Sequence, residues 1–384
     1  MPAADLGLGS LPALAPDAVL LHIGVHKTGT TAIQAALSDA REELRAAGVL
    51  YPGRLQAQHR AALAALGRTW GWNQRGGSVV PPHQLDAVAK EVAGHRGRTV
   101  ISSEFFCEAD AETAQRVVQR LGGSRVHVVV TLRNLGSLLP SSWQQYLKYG
   151  LETEYEPWLE DVFAVRGSSR KSPTFWRRHD HGAVVQRWAD AAGPEQVTVL
   201  VLENVDRAAL FVAFAELLDI PDQMLTSRMD LTSNRSMTAA EAELLLDVNR
   251  RVKRNLQWPD YVRLVRRGMA LAMVEQRQPA ATEARMATPD WALDAAAEHG
   301  IQIVEQLRQS GARVAGPVDQ LARRLPSQGT EQTPDLIPLQ AALEAVIAVI
   351  NESAQQTSSR GLARQLLRQL RNDLRAKFRR SAPS

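Results

Sequence analysis

Cysteine is nearly absent: Cys107 stands alone in the 384 residues. No internal disulfide can form, and no oxidising compartment is demanded. With no partner base in view, Cys107 reads as buried filler rather than a nucleophile. Long apolar runs are also missing, and none approaches the roughly eighteen residues of a membrane-spanning helix. The opening stretch to Asp17 lacks a basic segment and is broken by Pro2, Pro12 and Pro16, which argues against a secretory signal. Charge of one sign is not in excess. The 45 Lys and Arg against 41 Asp and Glu leave a formal +4, too little to make the chain a nucleic-acid binder. The nine histidines offer no ligand spacing. His22 and His26 straddle a strand and a loop, and His179 and His181 lack zinc-type neighbours, so no metal is expected. These exclusions leave a cytoplasmic enzyme with a large core, built as two or three domains or one large α/β domain.

The chain is organised around the stretch from Leu20 to Gln34. An apolar run of strand type, Val19 to Ile23, breaks at Gly24. After Gly29 the pattern turns helical, with Ile33, Ala36 and Leu37 on one face. Strand, glycine-bounded turn and helix aim backbone N–H groups and a positive helix end at a phosphate. The turn adds a cation, Lys27, and three hydroxyls, Thr28, Thr30 and Thr31. In a nucleoside-triphosphate loop a lysine follows the second glycine. Here Thr30 holds that place, and the lysine lies two residues before Gly29.

Further strands are expected at 99–103, 125–132 and 197–202, with helices near 57–66, 83–94 and 110–121. The run from Arg125 to Leu132 is continuously apolar enough to be buried on both faces of a parallel sheet. Strands alternating with helices predict an α/β fold, a P-loop-type parallel sheet flanked by helices. Residues 152–180 look irregular, and beyond 206 the chain turns mainly helical (about 206–217, 238–253, 286–310, 336–351 and 361–378). We expect a flexible leader over 1–17, an α/β domain with helical additions over 18–325, and a linker and helical extension over 326–384. Ligands of parallel sheets bind beyond the carboxyl ends of the strands. Lys27, Glu104 and Arg133 each fall just past such an end, so these three residues are expected to converge on one rim.

The order Lys27-Thr28-Gly29-Thr30-Thr31 resembles the 5′-phosphosulfate loop of sulfotransferases that use 3′-phosphoadenosine 5′-phosphosulfate (PAPS). The resemblance becomes specific at Arg133 and Ser141. In that superfamily an arginine ends the strand, and a serine eight residues later joins it on the 3′-phosphate. It covers roughly residues 19–150 and points to a bacterial, carbohydrate-sulfotransferase-like member. Weaker echoes follow at Glu203, a structural residue in this reading, and at Asn234, Arg235 and Ser236, which either meet the nucleotide or cap a helix.

The resemblance implies sulfuryl transfer from PAPS to a hydroxyl of a carbohydrate, glycolipid or natural product, leaving the desulfated product PAP and needing no metal. Lys27 would neutralise the departing phosphate. Amides 28–31 with Thr30 and Thr31 would hold the 5′-phosphate. Cytosolic members resembling these loops place a histidine base where this chain reads Ser102-Ser103-Glu104. Many carbohydrate sulfotransferases use a glutamate, which makes Glu104 the candidate base, its pKa expected to rise beside Phe105 and Phe106. Otherwise Glu104 caps a helix or pairs with an arginine, and His26 becomes the base. Trp70, Trp72, Trp143, Tyr146 and Trp158 either surround an acceptor cleft or fill core. Lys148 and the basic loop 166–171 either bind an anionic acceptor or are solvated. The basic helix 360–380 either lies on an anionic membrane, which would suit a lipid-linked acceptor, or packs on the domain or a partner subunit of a homodimer. The rival classes are a P-loop kinase and a non-catalytic nucleotide-binding scaffold. The kinase is disfavoured by Thr30, and by a central strand that ends without an acidic magnesium ligand.

Overall fold

A computed structural model describes residues 2–231 and 235–327, with short helical pieces at 341–342, 345–346 and 348–349. Asn234, most of the segment 336–351 and all of 361–378, including the basic helix, lie outside the described residues. The strand-type runs form β1 (Val19–Gly24), β2 (Thr99–Ser102), β3 (Val126–Leu132) and β4 (Val197–Val201). A fifth, β5 (Arg313–Ala315), was not expected. It is three residues long, too short for its alternation to stand out. The order is β2-β1-β3-β4-β5, every pair parallel. The fold is therefore the α/β class expected, a parallel sheet flanked by helices.

The first four strands are buried along their whole length, which is why they read as unbroken apolar runs. Their side chains alternate between two cores. Val19, Leu21 and Ile23 join Val128, Val130 and Val199 on one face. That face is covered by α2 (His59–Leu66), α3 (His83–Gly94), α4 (Ala111–Leu121) and α6 (His181–Ala192). Leu20, Val100, Val129 and Leu200 point the other way, onto α1 (Thr30–Asp39) and α7 (Ala209–Leu218). Each such fully buried aliphatic side chain contributes about 1.5–3 kcal/mol over its exposed state.

Residues 1–17, expected as a flexible leader, are engaged where described. Ala3, Leu6, Leu8 and Leu11 are buried in the second core, and the Ala3 amide donates to Glu216 Oε1 at 2.8 Å. Four spaced apolar residues among prolines were enough to bury a segment with no regular period. The stretch 152–180 also differs from expectation, carrying helices at Tyr155–Ala164 and Phe175–His179.

A third core joins α5 (Leu135–Leu147) to α8 (Ala239–Val252) and the segment from Trp258 onward. Helix α8 starts at a reciprocal cap. Thr238 Oγ1 accepts from the Glu241 amide, and the Glu241 carboxylate accepts from the Thr238 amide. Val262–Leu271 winds as a π-helix, and α9 (Asp290–Gln309) leads into β5. Among the described residues no helix is long and apolar enough to cross a membrane.

Candidate active site

Between β1 and β3 the strand order reverses, and the chain ends leaving those strands part to form a crevice. The loop after β1 sits there because its first glycine makes room. Gly24 is left-handed (φ +75°), and a Cβ on it would lie 2.8 Å from Glu104 Cβ. Below the loop runs a buried chain of hydrogen bonds. Thr28 Oγ1 donates to the Val25 carbonyl (2.7 Å) and lies 2.6 Å from Thr131 Oγ1. Thr131 lies 3.2 Å from His22 Nε2, and His22 Nδ1 lies 2.8 Å from Ser102 Oγ. Gln34 Nε2 donates both to Ser102 Oγ (3.2 Å) and to Glu104 Oε2 (3.1 Å). Since Thr28 and Gln34 are committed as donors, the direction of every link follows. Thr131 donates to Thr28, His22 carries its proton on Nε2, and Ser102 donates to Nδ1. A neutral imidazole is required, and burial supplies it by lowering His22 to about 4.

Lys27 takes a left-handed backbone (φ 69°), which costs a non-glycine residue about 1–2 kcal/mol. Gly29 (φ +88°) caps α1, and the amides of Gly29, Thr30 and Thr31 have no partner among the described residues. Thr31 is exposed and Thr30 buried, while the Thr28 hydroxyl is turned inward, so only its amide remains for a ligand. The half-buried Lys27 ammonium is lowered to about 7, first by desolvation and then by Lys148, with Arg178 and Arg266 adding to the effect and Glu104 opposing it. Lys148 is itself half-buried, and its ammonium has no hydrogen bond or ion pair among the described residues. So much positive charge with so little compensation is a seat for an anion.

Glu104 faces this cluster at the end of β2. Contrary to the expected rise, its pKa lies below the usual value. Burial pushes it up, but His59, His26 and the Gln34 amide outweigh burial. His59 Nδ1 is 3.8 Å from Glu104 Oε2 and 2.8 Å from Ser103 Oγ. His26 is more deeply placed, 6% exposed, with Nε2 3.3 Å from Glu108 Oε1 at an angle that makes no hydrogen bond. Desolvation and Arg178 lower its pKa. Glu108 is buried, and its carboxylate is held ionised. Desolvation opposes the charge, but Arg178, His26 and Arg68 prevail. Arg178 Nε and Arg68 Nη2 reach it at 2.9 and 2.6 Å. Of the two candidate bases, Glu104 is the more accessible.

Arg133 stands at the carboxyl end of β3, and its Nε, 3.6 Å from Glu203 Oε2, is buried without a hydrogen bond. Glu203 has the structural role expected, accepting from the Asn134 amide (3.0 Å) and Ser137 Oγ (3.3 Å). Ser141 Oγ donates to the Leu138 carbonyl at 3.0 Å and is not bonded to Arg133. Arg235 does not offer its charge to a ligand. The buried Glu241 carboxylate holds both of its terminal nitrogens, at 2.7 and 2.8 Å.

The aromatic residues divide. Trp143 and Trp158 are fully buried, their indole N–H groups donating to the Thr153 carbonyl and Ser172 Oγ. Trp70, Trp72 and Tyr146 line a cavity of about 230 Å³ together with Tyr149, Trp258 and Phe105. The sequence reading missed Tyr149, Trp258, Glu108 and Arg178. A larger surface hollow, about 580 Å³, lies along α9 beside Arg166 and contains none of these residues.

No family model matches the chain, and neither does any curated protein. Among solved structures, it is similar in fold to a sulfotransferase from Alicyclobacillus acidocaldarius, at 19% identity and a TM-score of 0.40. The match covers 60% of this chain and 90% of that one.

His22 binds a proton more readily in the unfolded chain (6.5) than in the folded one (about 4). Its contribution to stability is therefore complete above pH 6.5 and lost as pH falls toward 4, a change of about 3 kcal/mol. In urea titrations across that window, His22→Asn should give a shallower fall than wild type. Parallel curves would show that His22 is not the buried neutral link.

Proposed function

We propose that this chain is a PAPS-dependent sulfotransferase acting on a hydroxyl acceptor. The observation that carries the reading is the opposition of Lys27, at an α1 N-terminus whose amides have no partner among the described residues, to an ionised Glu104 across one crevice. An anion with a charged group at each end fits the residues present. Lys27 and the amides of residues 28–31 would take the 5′ end. Arg133, with its orphaned Nε, would take the 3′-phosphate. Ser141 would join it once its hydroxyl turned from the Leu138 carbonyl.

The donor supplies an activated sulfuryl group. Glu104 takes the acceptor hydroxyl's proton as the acceptor oxygen bonds to sulfur. Lys27 neutralises the phosphate oxygen that keeps the electron pair of the broken S–O bond. Its lowered pKa means that a bound dianion returns it to the charged state. The acceptor class implied by the resemblance is a carbohydrate, glycolipid or natural product.

Three outcomes test this. Calorimetry should find tight PAP binding that weakens about 10–100-fold in Arg133→Ala, the worth of a charged hydrogen bond. A preference for ATP with magnesium would instead make the chain a kinase. Glu104→Gln should bind PAP normally but lose roughly 10²–10⁴ in kcat, and an unchanged rate would remove Glu104 as base. At pH 8, PAP binding should take up about one proton, read from the dependence of the binding heat on buffer ionisation. Lys27→Met should abolish that uptake, whereas an unaltered value would assign the proton elsewhere.

A further inference from the structure

Asn134 follows Arg133 directly, is 2% exposed, and has all of its polar atoms in use. Its amide donates to Glu203 Oε2 (3.0 Å), and its carbonyl accepts from the Ser137 amide and hydroxyl (3.1 and 2.7 Å). Its side-chain Oδ1 accepts from the Gly136 amide at 2.9 Å and so caps α5. The two carboxamide protons go to the carbonyls of Gln320 (2.7 Å) and Arg323 (2.8 Å), with the Leu321 carbonyl at 3.4 Å beside them. This orientation has no alternative, since an amide N–H only donates and a carbonyl only accepts.

Those carbonyls belong to the turn Val318–Leu321 and the residues just after it, which follow β5. The same turn is held at the end of β4, where Asn204 Nδ2 donates to Gln320 Oε1 at 3.0 Å. Leu321 anchors it in the first core. The start of α5 is fitted closely against its surroundings. A Cβ on Gly136 would lie 3.3 Å from Leu293 Cδ2 on α9 and 3.7 Å from Leu325 Cδ1. A piece of chain 186 residues away in sequence therefore braces the backbone beside Arg133.

The Arg133 guanidinium itself has no hydrogen bond among the described residues, and its side chain is 40% exposed. What the fold fixes is its root: the peptide that joins it to Asn134 and the first turn of the helix that carries Ser141. A ligand grip needs its donors held to within about 0.5 Å, and a misplacement of about 1 Å costs as much as 10²-fold. We propose that Asn134 is the positioning residue of the 3′-phosphate grip, and that the turn 318–321 is the brace it works against. This rests on the transferase reading given above and adds a residue to it. Asn134 acts through Arg133 and Ser141, by keeping strand end and helix start in one frame so that both meet the same phosphate. By linkage, a phosphate that draws the two into register steadies the turn in return.

The test compares PAP with adenosine 5′-monophosphate (AMP), which lacks only the 3′-phosphate, by calorimetry on the full chain. Asn134→Ser keeps an oxygen to cap α5 but has no carboxamide to reach the turn. It should weaken PAP about tenfold and leave AMP unchanged, and in an Arg133→Ala background it should alter neither. A role in general stability alone would not separate the two nucleotides. In wild type, PAP and not AMP should slow amide hydrogen exchange over 318–323, which decides the matter if Asn134→Ser does not fold. The proposal is overturned if Asn134→Ser changes PAP and AMP alike or not at all, if its effect adds fully to that of Arg133→Ala, or if exchange over 318–323 ignores PAP. Wild type that binds AMP as tightly as PAP would overturn it through the failure of the donor reading, because no 3′-phosphate grip would then exist to be positioned.

Discussion

The hydrogen-bond chain from Gln34 to Val25 is the constraint on which the site depends. Each link between those ends is a group with one proton to give and one lone pair used, so its direction cannot be reversed locally. Both ends are acceptors, the Val25 carbonyl and the Glu104 carboxylate, and the Gln34 amide feeds both branches. The loop that carries Lys27 and the strand end that carries Glu104 are thereby held by the same chain of atoms, through β1, β2 and β3 together. Losing any link leaves a buried polar group unpaired, at a cost of about 1–3 kcal/mol.

Above that chain the charges are arranged differently. Glu108 is satisfied by Arg68 on one oxygen and Arg178 on the other, and removal of either partner would leave one buried carboxylate oxygen without its cation. Among the described residues Lys27 and Lys148 have no such partner. Their positive charge is disfavoured by burial and by each other. An anion that binds there removes a penalty already present in the empty protein, so the site is prepared for its ligand by electrostatics as well as by shape.

Much of this was legible in the sequence. Unbroken apolar runs belong to strands buried on both faces, and a residue just past the end of one reaches the rim of the sheet, as Lys27 and Glu104 do, close enough to act on each other. The connections made by single side chains were not legible. His22 and His26 straddle a strand and a loop without metal spacing and suggested no role for His22, because nothing in sequence tells that Ser102 lies opposite it in the next strand. Glu108 and Arg178 are 70 residues apart and meet only through the fold. Phe105 and Phe106 implied a raised pKa for Glu104, but His59 comes from another helix and Gln34 from α1. Trp258 carries no motif, and the tight turns at Gly71 and Gly76 leave the room in which it and Pro259 pack.

The shortest strand has the widest temporal reach. β5 comes from residues 313–315 and covers the edge of β4, a strand more than a hundred residues upstream. As the chain leaves the ribosome, four strands and both of their cores can assemble while the row of N–H and C=O groups along β4 stays open to any neighbouring strand. The intervening helices therefore lengthen the interval in which a nascent chain is exposed to wrong pairing, and chaperone protection is most needed before Ala315 emerges.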